Sequence, residues 1–244
     1  MLTQTVTELM KFKRSKIGWI VAFLVIADGF SCFLQLGAKD LTWDTFLNER
    51  YMDLWIRPAL FTFITGYLFT RDIRSQSVGL LFTYPFRSSQ WYFSKLVTAA
   101  AIIAMLLGLS FAIRVLVGLT LLSEPAGFPV LGRQFIQLII TFLLYIGLVP
   151  LSACIALLVR STVLLAIVSL GIIIPSFVLG AMSSEYMNLN PWLLPYLYSH
   201  YPSNLPEVSL WDKGIFVTGT VVLLSILVGL YLYTKKNANF DDRA

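Results

Sequence analysis

Charge is scarce in this sequence. Asp, Glu, Lys and Arg together make up 13% of its 244 residues, about half the ~25% of an ordinary soluble domain, while 57% are hydrophobic. A soluble globular fold is excluded at that balance. Several apolar runs reach about 20 residues, the length of a bilayer crossing, and leave no room for a separate soluble domain. Histidine and cysteine are scarcer still: His200 is alone, and Cys32 and Cys154 both lie inside apolar runs, where a free thiol behaves as a small hydrophobe. With no paired Cys or His spacing, neither a zinc site nor a disulfide framework is expected, and no metal ligands are assigned. No Gly-x-x-x-x-Gly-Lys-Ser/Thr loop occurs, so the chain has no Walker site of its own for ATP. No nucleophile and base stand at a catalytic spacing, and His200, set among aromatics, reads as an interfacial residue. An enzyme is the least supported class, and no catalytic residue or cofactor is assigned to this chain.

What is present is a series of apolar runs. Over 1–16, Leu2, Val6, Leu9 and Met10 recur at helical spacing and Lys11, Lys13, Arg14 and Lys16 follow, the pattern of an amphipathic elbow helix on a membrane surface. Membrane spans are expected over 17–36, 54–70, 91–122, 135–159, 163–182 and 214–234, with Pro150 kinking the fourth and Pro175 inside the fifth. The run 17–36 exceeds a signal-peptide core and is followed by no small-residue cleavage site, so it counts as a span. Basic residues sort by alternate connections. Lys11, Lys13, Arg14 and Lys16, then Arg71, Arg74, Arg87 and Lys95, then Arg160, then Lys235, Lys236 and Arg243 fall on one side. Fewer fall on the other: Lys39, Arg50, Arg57, Arg133 and Lys213. The positive-inside rule puts both termini, including the tail 235–244, in the cytosol of a multi-pass protein of the cell membrane. The net charge of +5 therefore reflects topology and not nucleic-acid binding.

The chain is organised around the connection 71–90. Ile73, Ser77, Leu80, Leu81 and Tyr84 fall at i, i+4, i+7, i+8 and i+11, one face of a short helix. Pro85 ends it, and Ser88 or Ser89 can cap the next. Such a helix either dips its apolar face into the headgroups or docks a soluble partner. The ordered set Asp72, Gly79, Leu80-Leu81, Pro85, Arg87 and Lys95 resembles the cytosolic loop between the second and third spans of ABC-2 type permease subunits, with Val78-Gly79 where relatives more often have Gly-Thr. That resemblance implies an all-α polytopic fold of six transmembrane helices with an elbow helix and a cytosolic coupling helix. It also implies docking of a separate cytosolic ATPase, which binds the ATP and Mg, through Ile73, Ser77, Leu80, Leu81, Tyr84 and Arg87. The permease would work as a dimer, with itself or a sister chain, and usually transports outward.

The segment 183–213 carries Tyr186, Trp192, Tyr196, Tyr198, Tyr201 and Trp211 among Pro191, Pro195, Pro202 and Pro206. Such a composition suits either an aromatic belt at the outer interface or short pieces tucked back into the bundle. In length, position and composition it is similar to the external re-entrant segment of the same permeases, which makes Trp192, Tyr196 and Tyr198 candidates for an external gate. Two charges lie within spans, where they are costly: Asp28, near the middle of the first, and Arg114, deep in the third. Counted from the cytosolic ends they sit about 17 and about 27 Å in. They are expected to pair with each other, to snorkel, Arg114 outward toward acids such as Glu124 or Glu185, or to line a substrate path. An ion-coupled secondary transporter using Asp28 is the alternative to the ATP-driven permease, although no internal repeat supports it; a non-transporting scaffold is the third reading.

Overall fold

The computed structural model describes residues 5–8, 10, 18–19, 26–31, 42–48, 56–74, 88–122, 127–180, 190–200 and 213–241. Every regular element among them is helical: α1 (Trp43–Asn48), α2 (Ile56–Arg74), α3 (Ser88–Leu121), α4 (Phe128–Val159), α5 (Thr162–Gly171), α6 (Ile173–Gly180), α7 (Leu194–His200) and α8 (Lys213–Asp241). Residues 5–8 and 26–31 are helical too.

Among the described residues four helical stretches are long and apolar enough to cross a membrane: Ser89–Leu121, Phe128–Val159, Thr162–Leu179 and Phe216–Thr234. They correspond to the third to sixth expected spans. The first expected span lies largely outside the described residues, as does most of the elbow. The second, α2, is not among the four. Arg57 at one end and Arg71, Asp72 and Arg74 at the other give it more charge than any of those four stretches carries.

Helices in lipid gain little from apolar contact alone, so they associate through close packing and small residues. α4 is the hub, touching α2, α3, α7 and α8, while α5 packs on α2. Ile64 and Leu68 of α2, Ile103 and Leu107 of α3, and Tyr145 and Ala153 of α4 form the buried centre, with Leu165 of α5. Leu116, Leu143, Ile167 and Leu223 point outward, as lipid-facing residues should.

Boundaries differ from expectation in ways local chemistry explains. α4 begins at Phe128, several residues before 135. Gly127 is an extended N-cap and a proline stands in the first turn, where its missing N–H costs nothing. The helix then continues through Pro150. The fifth span is interrupted at Ile172, because Pro175 has no N–H to give the Gly171 carbonyl. α4 closes on Arg160 in the left-handed conformation (φ 56°), its N–H bonded to the Ala156 carbonyl, and Ser161 caps α5. α8 runs on to Asp241, beyond the span end expected at 234. Helix α1 was not anticipated. Trp43, Phe46 and Leu47 are buried in a cluster with Val117, Leu122 and Val130. The Trp43 ring lies where a Cβ on Gly118 would come within 2.6 Å, so only glycine admits it.

Candidate functional site

The charged side chains buried in the bundle fall into two groups of the same design. In each, one carboxylate from the N-terminal segment sits between a cation of α2 and a cation of α3.

The first group is Asp28, Arg57 and Arg114, all nearly fully buried. Arg114 Nη2 donates to Asp28 Oδ1 at 2.7 Å and Nε reaches Oδ2 at 3.4 Å. Arg57 Nη2 bridges both oxygens at 3.1 Å. Both carboxylate oxygens thus accept from both guanidiniums, the forked geometry arginine favours. The structure joins Asp28 to Arg114 and turns Arg114 inward onto it. A helical side chain points toward the N-terminus of its own helix, so Arg114 reaches back along α3 and closes the expected difference in depth of about 10 Å. Asp28 meets Arg57 at one end of α2.

The second group is Glu8, Arg71 and Lys95. Glu8 is 0% exposed and Lys95 1%. Arg71 Nη2 donates to Glu8 Oε2 at 2.8 Å, and Lys95 Nζ stands 3.8 Å from the same oxygen. Lys95 also donates to the Leu68 carbonyl at 2.8 Å and lies 5.6 Å above the Phe69 ring. Next to it, the Thr5 and Ser94 hydroxyls are 3.3 Å apart.

The two clamps sit at opposite ends of the α2–α3 hairpin. Lys95 to Arg114 is about 28 Å of helix rise, close to the ~30 Å of a hydrocarbon core. Glu8 and Asp28 have the same spacing to within one residue. Arg57 and Arg71 lie nearly four turns apart on α2 and so share a face. In the sequence Arg71 and Lys95 count among the cytosolic basic residues, Lys95 also as the last residue of the ordered set 72–95, Arg57 counts with the opposite side, and nothing marks Glu8. The shared face of Arg57 and Arg71 was the available signal.

A third arrangement involves residues 190–200. Leu193, Leu194 and Leu197 are buried against Leu144 and Leu179, and Tyr196 is buried as well, so this piece of the aromatic segment is tucked into the bundle. Asn190 Oδ1 accepts from the Trp192 backbone N–H at 3.1 Å, fixing the turn. Trp192 Nε1 donates to Thr62 Oγ1 of α2 at 3.1 Å, and the Ser152 hydroxyl of α4 is 3.3 Å from Thr62. Tyr198 is described in backbone only.

Of the expected docking face, Ile73 belongs to the last turn of α2, with its side chain outside the description. Ser77, Leu80, Leu81, Tyr84 and Arg87 lie outside the described residues. Among the described residues no cluster of His, Cys, Asp or Glu is gathered to hold a metal. On the far side of α2, a largely apolar groove of about 230 Å³ runs between Ile56, Leu60 and Phe63 and α5–α6 residues Ala166, Ser169, Leu170 and Ile173.

A family model described as ABC-2 family transporter protein matches residues 5–180, a stretch that contains both clamps. No curated protein matches the chain.

Proposed function

Because the chain belongs to the ABC-2 family of transporter proteins, membrane components that typically work with an ATPase subunit, we propose that it is the permease subunit of an ATP-driven exporter. It forms the substrate path as a dimer, with a second copy or a sister chain, in the cell membrane with both termini cytosolic. A separate ATPase binds ATP and Mg and docks on the 71–90 connection through the Ile73, Ser77, Leu80, Leu81, Tyr84 and Arg87 face.

The observation that carries this reading is the Glu8 clamp. It gathers the end of α2 and the start of α3 onto one buried carboxylate, so the connection between them hangs from a fixed root. A push on that connection is then delivered to α2, α3 and the N-terminal segment together, as rigid-body switching requires. The second clamp ties the same three elements at the other end. It also weakens the ion-coupled alternative. A coupling carboxylate must exchange protons or cations, whereas both Asp28 oxygens are occupied by guanidinium donors.

Leu80→Asp combined with Leu81→Asp tests the docking face. The double variant is expected to insert in the membrane at normal levels and to lose the ATPase on affinity purification. Undiminished co-purification would overturn the docking role.

A further inference from the structure

α4 carries a buried polar face. Gln137, Thr141 and Tyr145 repeat at i, i+4 and i+8, and Ser152 continues the face two turns on; all four are buried. In hydrocarbon each such group needs a hydrogen-bond partner. Part of the face is satisfied internally. The indole N–H of Trp192 can only donate, so Thr62 accepts it. The Ser152 hydroxyl shares its proton between Thr62 Oγ1 at 3.3 Å and the Leu148 carbonyl at 3.1 Å.

Thr65, one turn along α2 from Thr62, is different. It is 0% exposed, and its hydroxyl has no partner among the described residues. It lines a cavity with Thr62, Tyr145, Ser152 and Trp192, alongside the apolar residues Pro58, Phe61, Ile103, Leu148 and Val149. The volume open to the centre of a water molecule is about 10 Å³, close to the lower limit for one ordered water and too small for a larger ligand. A phenol oxygen keeps acceptor capacity even when its proton is engaged, so Tyr145 supplies a second contact whatever else it binds. Farther along the α4 face, Gln137 is buried with neither amide atom partnered among the described residues, a second group there that calls for a small hydrogen-bonding ligand.

We infer that the cavity beneath Trp192 is a hydration site, in which one ordered water bridges the Thr65 hydroxyl and the Tyr145 phenol at the join of α2, α4 and the tucked segment. A wet join has a mechanical consequence. When Trp192 moves away, Thr62 trades its hydrogen bond for one to water with little enthalpic loss, so the segment can lift without stranding a polar group. That consequence rests on the gate role of Trp192; the hydration site itself does not.

Pulsed hydroxyl-radical footprinting of the wild-type protein in nanodiscs reads the site directly, because radicals formed from a bound water oxidise the side chains beside it. Phe69, 1% exposed, packed against Tyr92 and Tyr233 and without a polar atom to hold a water, is the internal control for a dry ring. Tyr145, 1% exposed, is expected to be oxidised several-fold faster than Phe69 once each rate is scaled to the intrinsic reactivity of its ring. Thr65→Val should bring its scaled rate down to the Phe69 level, and Thr65→Ser should not. Equal scaled protection of Tyr145 and Phe69 in the wild-type protein would overturn the proposal whether or not the variants fold. So would an unchanged Tyr145 rate in a folded Thr65→Val protein.

Discussion

At the residue scale, the two buried carboxylates set how the N-terminal segment is held. Glu8→Gln leaves Arg71 and Lys95 facing a neutral amide, and Asp28→Asn does the same to Arg57 and Arg114. Breaking one side of a buried ion pair costs about 3–5 kcal/mol, because the remaining charge stays buried. Each single variant should therefore lower the unfolding midpoint in detergent. Pairing Glu8→Gln with Lys95→Met should cost less than the two effects added, since the second change removes the charge stranded by the first. Strict additivity would mean that Glu8 and Lys95 do not interact. For Asp28→Asn the decisive comparison is between transport and stability. A variant that folds with wild-type stability yet loses transport would return Asp28 to the substrate path.

At the element scale, helix packing depends on small residues at close approaches. Gly229 of α8 faces the Tyr92 hydroxyl and the Cys154 thiol, and a Cβ there would collide with the rigid phenol. The thiol itself donates to the Ser225 carbonyl at 2.8 Å, so α8 is held on that side of α4. Gly229→Ala should cost about 1–3 kcal/mol, the usual penalty of overpacking, and should loosen α8 from α3. A disulfide crosslink engineered between α3 and α8 would form more slowly in the variant, and an unchanged rate would contradict this packing. Much at this scale was legible in the sequence. Apolar runs located α3, α4 and α8, but the one proline-linked irregularity expected was a kink at Pro150, and the break in the fifth span ahead of Pro175 was not foreseen. The early start of α4 was legible too, from Gly127 followed by a first-turn proline, but it was missed because the apolar run was taken to begin at Phe135. Helix α1 could not be read, since six residues, Trp-Asp-Thr-Phe-Leu-Asn, give too short a pattern to tell a helical period from any other. Its register is set by a tertiary contact, Trp43 on Gly118.

At the scale of the whole molecule, the ion pairs explain why the candidate site was only half visible. Periodicity reports which faces are apolar, and it identified Asp28 and Arg114 as misfits within apolar runs. It gives no sign that Glu8, Arg57, Arg71 and Lys95, which stand at the margins of those runs, fold inward to meet partners distant in sequence. Two of the charges that set α2 apart from the four membrane-length apolar helices, Arg57 and Arg71, are ones that hold it between the N-terminal segment and α3. The result is a stapled unit with a connection hanging from one end, and a hub helix, α4, against which the rest packs.

The most direct test of the proposed function is a pull-down of the wild-type chain from its native membranes in mild detergent, with ATPase activity assayed on the purified material. A permease subunit should bring down a soluble ATPase in stoichiometric amount, with ATP hydrolysis that requires Mg. A chain that purifies alone and without ATPase activity, even after mild crosslinking, would contradict it.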